Sequence, residues 1–169
     1  TATCTPPVLE LKMDKKSGSV AYDTSGNGND GTISGATHSR GKVGAGLEFD
    51  GNEDYVTILP DSSYDNNNGT ISFWMYPEAW DTAIYTKGPW DSTMPRKLIS
   101  LQSNYYGNSN VLVAVRSGSI AAATSYTWDN TFKLNRWVHL AVDFNSDGNI
   151  YIYENGSLLS LESQVTGSG

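Results

Sequence analysis

The sequence has little of three things: cysteine, positive charge and long apolar runs. Cys4 is the single cysteine among 169 residues, so no disulfide within the chain can support the fold. Lysine and arginine total 11 against 18 aspartates and glutamates, and a net charge of -7 offers no basic stripe for a nucleic-acid backbone. No apolar run approaches the ~20 residues of a membrane-spanning helix. We therefore expect neither nucleic-acid binding nor membrane insertion.

Small polar residues and glycine are abundant instead. Serine, threonine, asparagine and glycine make up 66 of the 169 residues, and these residue types disfavour helix interiors. The length and a hydrophobic content of 38% fit one domain over residues 1–169, with residues 1–7 as an extended arm. A lysine-poor, hydroxyl-rich surface is common outside the cell, so we expect a secreted, extracellular or cell-surface protein. The chain starts with neither a basic nor an apolar segment, so any export signal is expected to have been removed.

Short runs of alternating apolar and polar residues, separated by turn clusters, predict an all-β antiparallel sandwich. The alternation places Ile71, Phe73, Val113, Leu140, Val142 and Ile152 in the core, whereas His139 and Asp143 fall on the outer face. The predicted strands cover residues 8–13, 47–50, 55–59, 70–76, 98–102, 111–116, 119–124, 138–144 and 150–153. The predicted loops cover residues 61–69, 88–95 and 104–110, which are rich in asparagine, glycine and proline.

Three stretches carry a resemblance to a known family. Residues 21–32 read AYDTSGNGNDGT, residues 44–56 read GAGLEFDGNEDYV, and residues 136–141 and 150–156 read RWVHLA and IYIYENG. In this order they resemble the laminin-G-like, concanavalin-A-like jelly-roll family, and the match covers most of residues 8–160. The resemblance implies a two-sheet antiparallel jelly-roll sandwich.

The chain departs from the family pattern at its end. Members usually close with a strand reading roughly D-E-V-R-I-Y, and nothing after Leu161 is similar to it. A missing closing strand leaves an unpaired sheet edge, which is a template for association. We expect that edge to be completed by residues beyond Gly169 or by another copy of the chain. In the second case the donor is the N-terminal arm, where Pro6-Pro7 favours an extended backbone and Cys4 can lock the contact.

The turn between Asp23 and Asp30 is rich in side-chain and backbone oxygens, which suit calcium. Related modules often bind calcium at loops on the rim of the sandwich. The predicted ligands are Asp23, Asn27 and Asn29, with Asp54 contributed by the following segment. The alternative is a set of turns in which these side chains bond to the local backbone, without a metal ion.

Aromatic residues in the predicted loops indicate a second kind of site. Trp90, Tyr105 and Tyr106 are flanked on both sides by turn residues. Flat rings beside asparagine and aspartate suit the C–H face of a sugar and its hydroxyls. These three residues are therefore the predicted carbohydrate-binding residues.

Glu48, Asp50 and Glu53 have the E-x-D-x-x-E spacing of jelly-roll glycoside hydrolases, but Gly51-Asn52 predicts a turn that directs Glu53 elsewhere. No other catalytic motif is present, so we expect no enzyme activity. The first hypothesis is a secreted, non-catalytic module that binds a polysaccharide or a glycosylated surface, in which a calcium ion can fix the loops. The second is a structural subunit of an extracellular filament or surface layer, assembled from copies of itself. The third is a glycoside hydrolase, which rests on the three carboxylates alone.

Overall fold

The computed structural model describes residues 6–64, 68–79, 82–87, 96–105, 108–116, 123–128, 133–145, 149–159 and 161–166. Contacts divide the chain into two compact units, residues 1–67 and residues 68–169. Within the described part, no helix is long and apolar enough to cross a membrane. The strands are β1 (Val20–Ala21), β2 (Gly31–Ser34), β3 (Thr37–Arg40), β4 (Ala45–Glu48), β5 (Tyr55–Ile58), β6 (Gly69–Met75), β7 (Thr82–Lys87), β8 (Arg96–Tyr105), β9 (Asn108–Arg116), β10 (Ala123–Trp128), β11 (Val138–Phe144), β12 (Ile150–Glu154), β13 (Ser157–Leu158) and β14 (Leu161–Thr166).

The N-terminal unit contains a three-stranded sheet in the order β1-β2-β5 and a separate β3-β4 pair, all antiparallel. The turn Ser62–Tyr64 is a short 3-10 helix. Strand β2 begins at Gly31, which is buried, and a Cβ there would lie 2.7 Å from a methyl carbon of Val56. Glycine is thus needed at Gly31 because β2 and β5 pack closely at this point.

The predicted strand over residues 8–13 is wrong. This segment makes only a single bridge, between Leu11 and Asp23. Its backbone bonds go elsewhere: the Glu10 N–H donates to the Asp23 carboxylate, and the Glu10 carbonyl accepts from the Thr24 N–H. Because the Asp23 side chain takes the place of a partner strand, the segment is held in position without a β-ladder.

The C-terminal unit contains two antiparallel sheets. One has five strands in the order β14-β10-β9-β8-β7, and the other has four in the order β13-β12-β11-β6. The predicted loop over residues 104–110 is shorter than expected, because β8 runs to Tyr105 and β9 starts at Asn108. The predicted strand over 119–124 is observed later, as β10, and residues 117–122 lie outside the described part. Strand β14 pairs with β10. The sequence of β14 does not match the closing strand of the family, so the absence of that closing strand stays a prediction.

The core of the C-terminal unit lies on the inner face of the four-stranded sheet. The prediction is confirmed for Leu140, Val142 and Ile152, which are almost fully buried. Ile71 and Phe73 pack against them but are only half-buried, because β6 is the edge strand of its sheet. The side chain of Val113 lies outside the described part. The buried cluster consists of Val138, Leu140, Val142, Phe144, Ile150 and Ile152.

A strand from the other sheet completes this core. Ile84 and Tyr85 of β7 pack against the buried cluster, so side chains from both sheets meet in one apolar layer. The arrangement is that of an antiparallel β-sandwich, in which the inner faces of two sheets interdigitate. The fold class predicted from the alternation is therefore confirmed.

One charged group is buried at the margin of this layer. Glu154 is 7% exposed, and its carboxylate accepts a hydrogen bond from the guanidinium of Arg136, the residue two positions before β11. A carboxylate can be buried in this way only when a cation or several donors compensate for its lost hydration. The pair therefore joins the end of β12 to the start of β11.

Candidate functional site

The outer side of the four-stranded sheet carries aromatic and polar side chains. Along β6, β11 and β12 these residues alternate with the core residues, so they point away from the apolar layer. All of them are exposed or half-buried. We call this side the aromatic face, and it consists of Thr70, Ser72, Trp74, Tyr76, Trp137, His139, Ala141, Asp143, Tyr151 and Tyr153.

Two aromatic contacts order one end of the aromatic face. Trp74 of β6 lies directly opposite His139 of β11, with ring centroids 5.2 Å apart and ring planes inclined by 58°. Beyond them, Tyr76 contacts Trp137 edge-on, at 5.7 Å between centroids. Both geometries are favourable for aromatic pairs. Trp74 is nevertheless 47% exposed and Tyr76 43% exposed, so much of each ring remains accessible to a ligand.

The middle row of the aromatic face contains two small side chains and one large ring. Ser72 and Ala141 are the small residues, and Tyr153 completes the row across β6, β11 and β12. Serine and alanine project little above the sheet, whereas Trp74 in the next row and Tyr153 at the side project far. The register therefore places the two short side chains of Ser72 and Ala141 beside the Trp74 and Tyr153 rings.

The other end of the aromatic face is polar. The Thr70 hydroxyl donates a hydrogen bond of 3.0 Å to the Asp143 carboxylate, and Tyr151 stands beside Asp143 in the same row. Tyr151 is 41% exposed. A carboxylate, hydroxyls and a phenol next to the Ser72–Ala141 row are groups that can bond to the hydroxyls of a ligand.

A tight turn fixes the position of His139. The Asn155 side-chain oxygen accepts a bond of 3.0 Å from the His139 N–H, and the His139 carbonyl accepts one of 2.8 Å from the Asn155 N–H. Asn155 and Gly156 both have positive φ, at 50° and 84°, as the two-residue turn between β12 and β13 requires. The prediction that His139 is a surface strand residue is confirmed.

The predicted carbohydrate-binding residues lie elsewhere in the chain. Trp90 and Tyr106 lie outside the described residues. Tyr105 ends β8, where its backbone pairs with Asn108, and its side chain also lies outside the described part. These three stay predictions. Sequence reasoning placed His139 on the outer face but missed Trp74, Tyr76 and His139 as a site, since only the register shows which rings become neighbours.

The predicted metal ligands Asp23, Asn27 and Asn29 do lie together, in the turn that follows β1. The Asp23 carboxylate accepts four hydrogen bonds: from the N–H groups of Glu10 (3.0 Å), Ser25 (2.9 Å) and Asn29 (3.0 Å), and from the Ser25 hydroxyl (2.8 Å). The Asn27 and Asn29 amides both donate to the carbonyl of Val8, at 3.1 and 3.4 Å. The turn therefore holds the segment before β1 in place.

Electrostatics agree with this arrangement. The Glu10 N–H, with those of Ser25 and Asn29 and the Ser25 hydroxyl, lowers the pKa of Asp23 far below its ordinary value, although partial burial opposes the shift. An ionised carboxylate has about four lone-pair sites, and four donors occupy them here. N–H groups directed at the carboxylate also stand where a cation would have to lie, so the turn as folded does not fit a calcium ion. The geometry favours the alternative of a turn bonded to the local backbone, and the calcium site stays a prediction of the sequence.

The fourth predicted ligand, Asp54, belongs to a different turn. Its carboxylate accepts a bond of 2.9 Å from the Asp50 N–H and lies against Gly35, where a Cβ would come within 1.8 Å of a carboxylate oxygen. Asp54 therefore anchors the chain just before β5. Among the residues that the structure describes, no group of three or more histidine, cysteine, aspartate or glutamate side chains could hold a metal ion.

The three carboxylates of the E-x-D-x-x-E spacing lie on either side of a bend. Glu48 ends β4, whereas Gly51 and Glu53 have positive φ, at 84° and 62°. The Asp50 carboxylate is engaged by the Asn52 N–H at 2.7 Å, within the bend itself. The predicted turn at Gly51-Asn52 is therefore present, and Glu48 and Glu53 do not share a strand.

The sequence matches one family model, described as the concanavalin A-like lectin/glucanases superfamily, over residues 50–168. The match covers more than half of the chain, so the chain belongs to this superfamily, of the laminin-G type that its motifs indicated. No curated protein and no solved structure matches the chain. The superfamily description names both lectins and glucanases, and by itself it does not choose between binding and catalysis.

Proposed function

We propose that this domain binds carbohydrate through the aromatic face. The observation that carries the proposal is the arrangement of Trp74, Ala141 and Tyr153, in which accessible rings lie beside a short side chain on the outer side of the sheet. A pyranose ring presents apolar C–H groups to such rings and hydroxyls to polar groups at its edge. Thr70 and Asp143 supply those polar groups.

The charge of the aromatic face favours a neutral glycan. Asp143 is the one carboxylate that the face presents, and the chain as a whole carries a net charge of -7. An acidic polysaccharide would bring a second negative charge close to Asp143, at an electrostatic cost. A neutral hexose polymer instead gives Asp143 hydroxyl groups that donate hydrogen bonds to it.

The proposed partner is a neutral polysaccharide or a glycosylated surface, and the proposed location is outside the cell. The hydroxyl-rich composition supports this location. The second hypothesis, assembly by strand donation, depends on the N-terminal arm, and residues 1–5 of that arm lie outside the described part. The proposal of binding rests on the aromatic face, and assembly by strand donation stays the alternative.

The proposal is tested with a panel of neutral polysaccharides, such as a β-glucan, a galactan and a mannan, by calorimetry or affinity electrophoresis. Trp74→Ala is expected to weaken binding roughly tenfold, which corresponds to the loss of one stacking contact. Trp74→Phe should restore much of the affinity. Binding should change little with ionic strength, because the ligand is neutral.

Tyr55→Ala is the matched control, since Tyr55 is 53% exposed on β5 and lies outside the aromatic face. The double variant Trp90→Ala/Tyr105→Ala tests the residues predicted from the loops. Loss of binding in the double variant, with full affinity in Trp74→Ala, would move the site to the loops and contradict the proposal. Absence of binding to every neutral glycan would contradict carbohydrate binding as well.

A further inference from the structure

The His38 ring lies between two backbone carbonyl groups. Its Nδ1 is 2.8 Å from the carbonyl oxygen of Lys15, and its Nε2 is 2.8 Å from that of Gly18. His38 is half-buried on β3, and both contacts reach the same connecting segment, residues 15–18. That segment is exposed and irregular, and it leads into β1.

The two contacts require a particular protonation state. A carbonyl oxygen accepts hydrogen bonds and donates none, so each ring nitrogen must carry a proton to bond with its partner. Neutral imidazole carries one N–H and one lone pair, whereas imidazolium carries two N–H groups. Both bonds therefore exist together only when His38 is protonated. In either neutral tautomer, one carbonyl faces a lone pair and is repelled.

We propose that His38 is a proton-binding site that clamps residues 15–18 when it is charged and releases them when it is neutral. Histidine changes charge in the range between pH 5 and 8, where a modest acidification can operate such a switch. In the clamped form both ends of the segment are hydrogen-bonded to the His38 ring on β3. In the neutral form one of these two bonds is lost, and that end of the segment is released.

The loss of one hydrogen bond is expected to make residues 15–18 more mobile. Gly18 has a φ of 105°, a conformation that glycine adopts readily and other residues avoid. The sequence Lys15-Lys16-Ser17-Gly18 has no apolar side chain to hold it to the unit. The remaining side-chain contact is the Lys15 ammonium, which lies 5.4 Å from the centroid of the Tyr22 ring.

Other charged groups surround His38. It lines a cavity of about 340 Å³ in the N-terminal unit. The titratable residues that share the cavity are Lys12, Asp14, Lys15 and Tyr22. Arg40 lies on β3 with His38, and Glu48 lies on the paired strand β4. The proton therefore changes both the charge of the cavity wall and the attachment of residues 15–18.

The clamp is tested by NMR on the full 15N-labelled chain at pH 5 and pH 8. The ring 15N shifts report whether one or both nitrogens of His38 carry a proton. Backbone order parameters are expected to be near ~0.85 across residues 15–18 at pH 5, and to fall below ~0.6 at one end of this segment at pH 8. Equal order parameters at the two pH values would overturn the proposal.

Two variants separate His38 from other titrating groups. His38→Ala is expected to leave residues 15–18 mobile at both pH values. His139→Ala, which removes the other histidine of the chain, should leave the pH response unchanged because His139 lies on β11. A pH response that persists in His38→Ala or disappears in His139→Ala would contradict the proposal. If His38→Ala does not fold, the wild-type comparison and His139→Ala still decide the matter.

Discussion

Trp74 and His139 occupy directly opposite positions on β6 and β11, and their rings meet at 5.2 Å between centroids. Sixty-four residues of chain separate the two positions, and the pairing register brings them together. The same register places Leu140 opposite Phe73 on the inner side. A shift by one residue would exchange the aromatic face with the core, so burial of the core also holds the aromatic face in register.

Truncation of the central core residue tests the sandwich. Leu140 is 0% exposed, and we expect Leu140→Ala to lower the free energy of unfolding by about 2–5 kcal/mol because it leaves a cavity. Leu158→Ala makes the same chemical change at a residue that is 57% exposed, and it should cost less than about 0.5 kcal/mol. Urea unfolding measures both values. Equal effects of the two substitutions would contradict the assignment of Leu140 to the core.

The turn around Asp23 predicts a dependence of stability on acid pH. Hydrogen bonds led by the Glu10 N–H lower the pKa of Asp23 in the folded chain. An aspartate with a lowered pKa stabilises the fold at neutral pH, and this contribution is lost progressively as the pH falls below the ordinary value of about 3.9. Asp23→Asn should therefore reduce stability at pH 7, with a smaller difference from wild type at the lowest pH.

The control for Asp23 is Asp14→Asn, since Asp14 is an exposed aspartate in the same unit. Thermal unfolding from pH 7 to pH 2 measures both variants. A constant difference between Asp23→Asn and wild type over the whole range would show that the carboxylate charge is not what stabilises the turn.

Calcium provides a separate test of the same turn. Because four donors already occupy the Asp23 carboxylate, we expect EDTA to leave the melting temperature of the domain unchanged. An ion that bound only the folded state would raise the melting temperature in proportion to its occupancy. A calcium-dependent rise that Asp23→Asn abolishes would instead establish the calcium site predicted from the sequence.

The bend at Gly51 predicts that Glu48 has no catalytic role. Glu48 ends β4 and Glu53 lies beyond the bend, so the pair does not share one strand face, where the E-x-D-x-x-E motif of jelly-roll glycoside hydrolases holds its two carboxylates. We expect no release of reducing sugar from glucan or galactan, and Glu48→Gln should bind polysaccharide as the wild type does. Sugar release by the wild type that is lost in Glu48→Gln would establish an enzyme.

Local patterns predicted the parts of the fold that depend on period-2 alternation. The strands around Phe73, Leu140 and Ile152 follow from residues that alternate between water and core, and the turn at Gly51-Asn52 follows from the conformations that glycine and asparagine accept. Residues 8–13 also alternate, but their prediction as a strand is wrong. Their backbone groups bond to Asp23 and Thr24, and the alternation of a segment carries no information about its partners.

The sequence by itself determined the superfamily, the all-β class and the inner side of the strands, because each depends on short motifs or on residues that are close together in the sequence. The tertiary structure alone decided which side chains meet. Ala141 lies between Ser72 and Tyr153 through strand register, and His38 reaches the carbonyls of residues 20 and 23 positions earlier in the chain. Contacts over such separations depend on how the whole chain closes its hydrogen bonds and buries its apolar surface, and no local pattern specifies them.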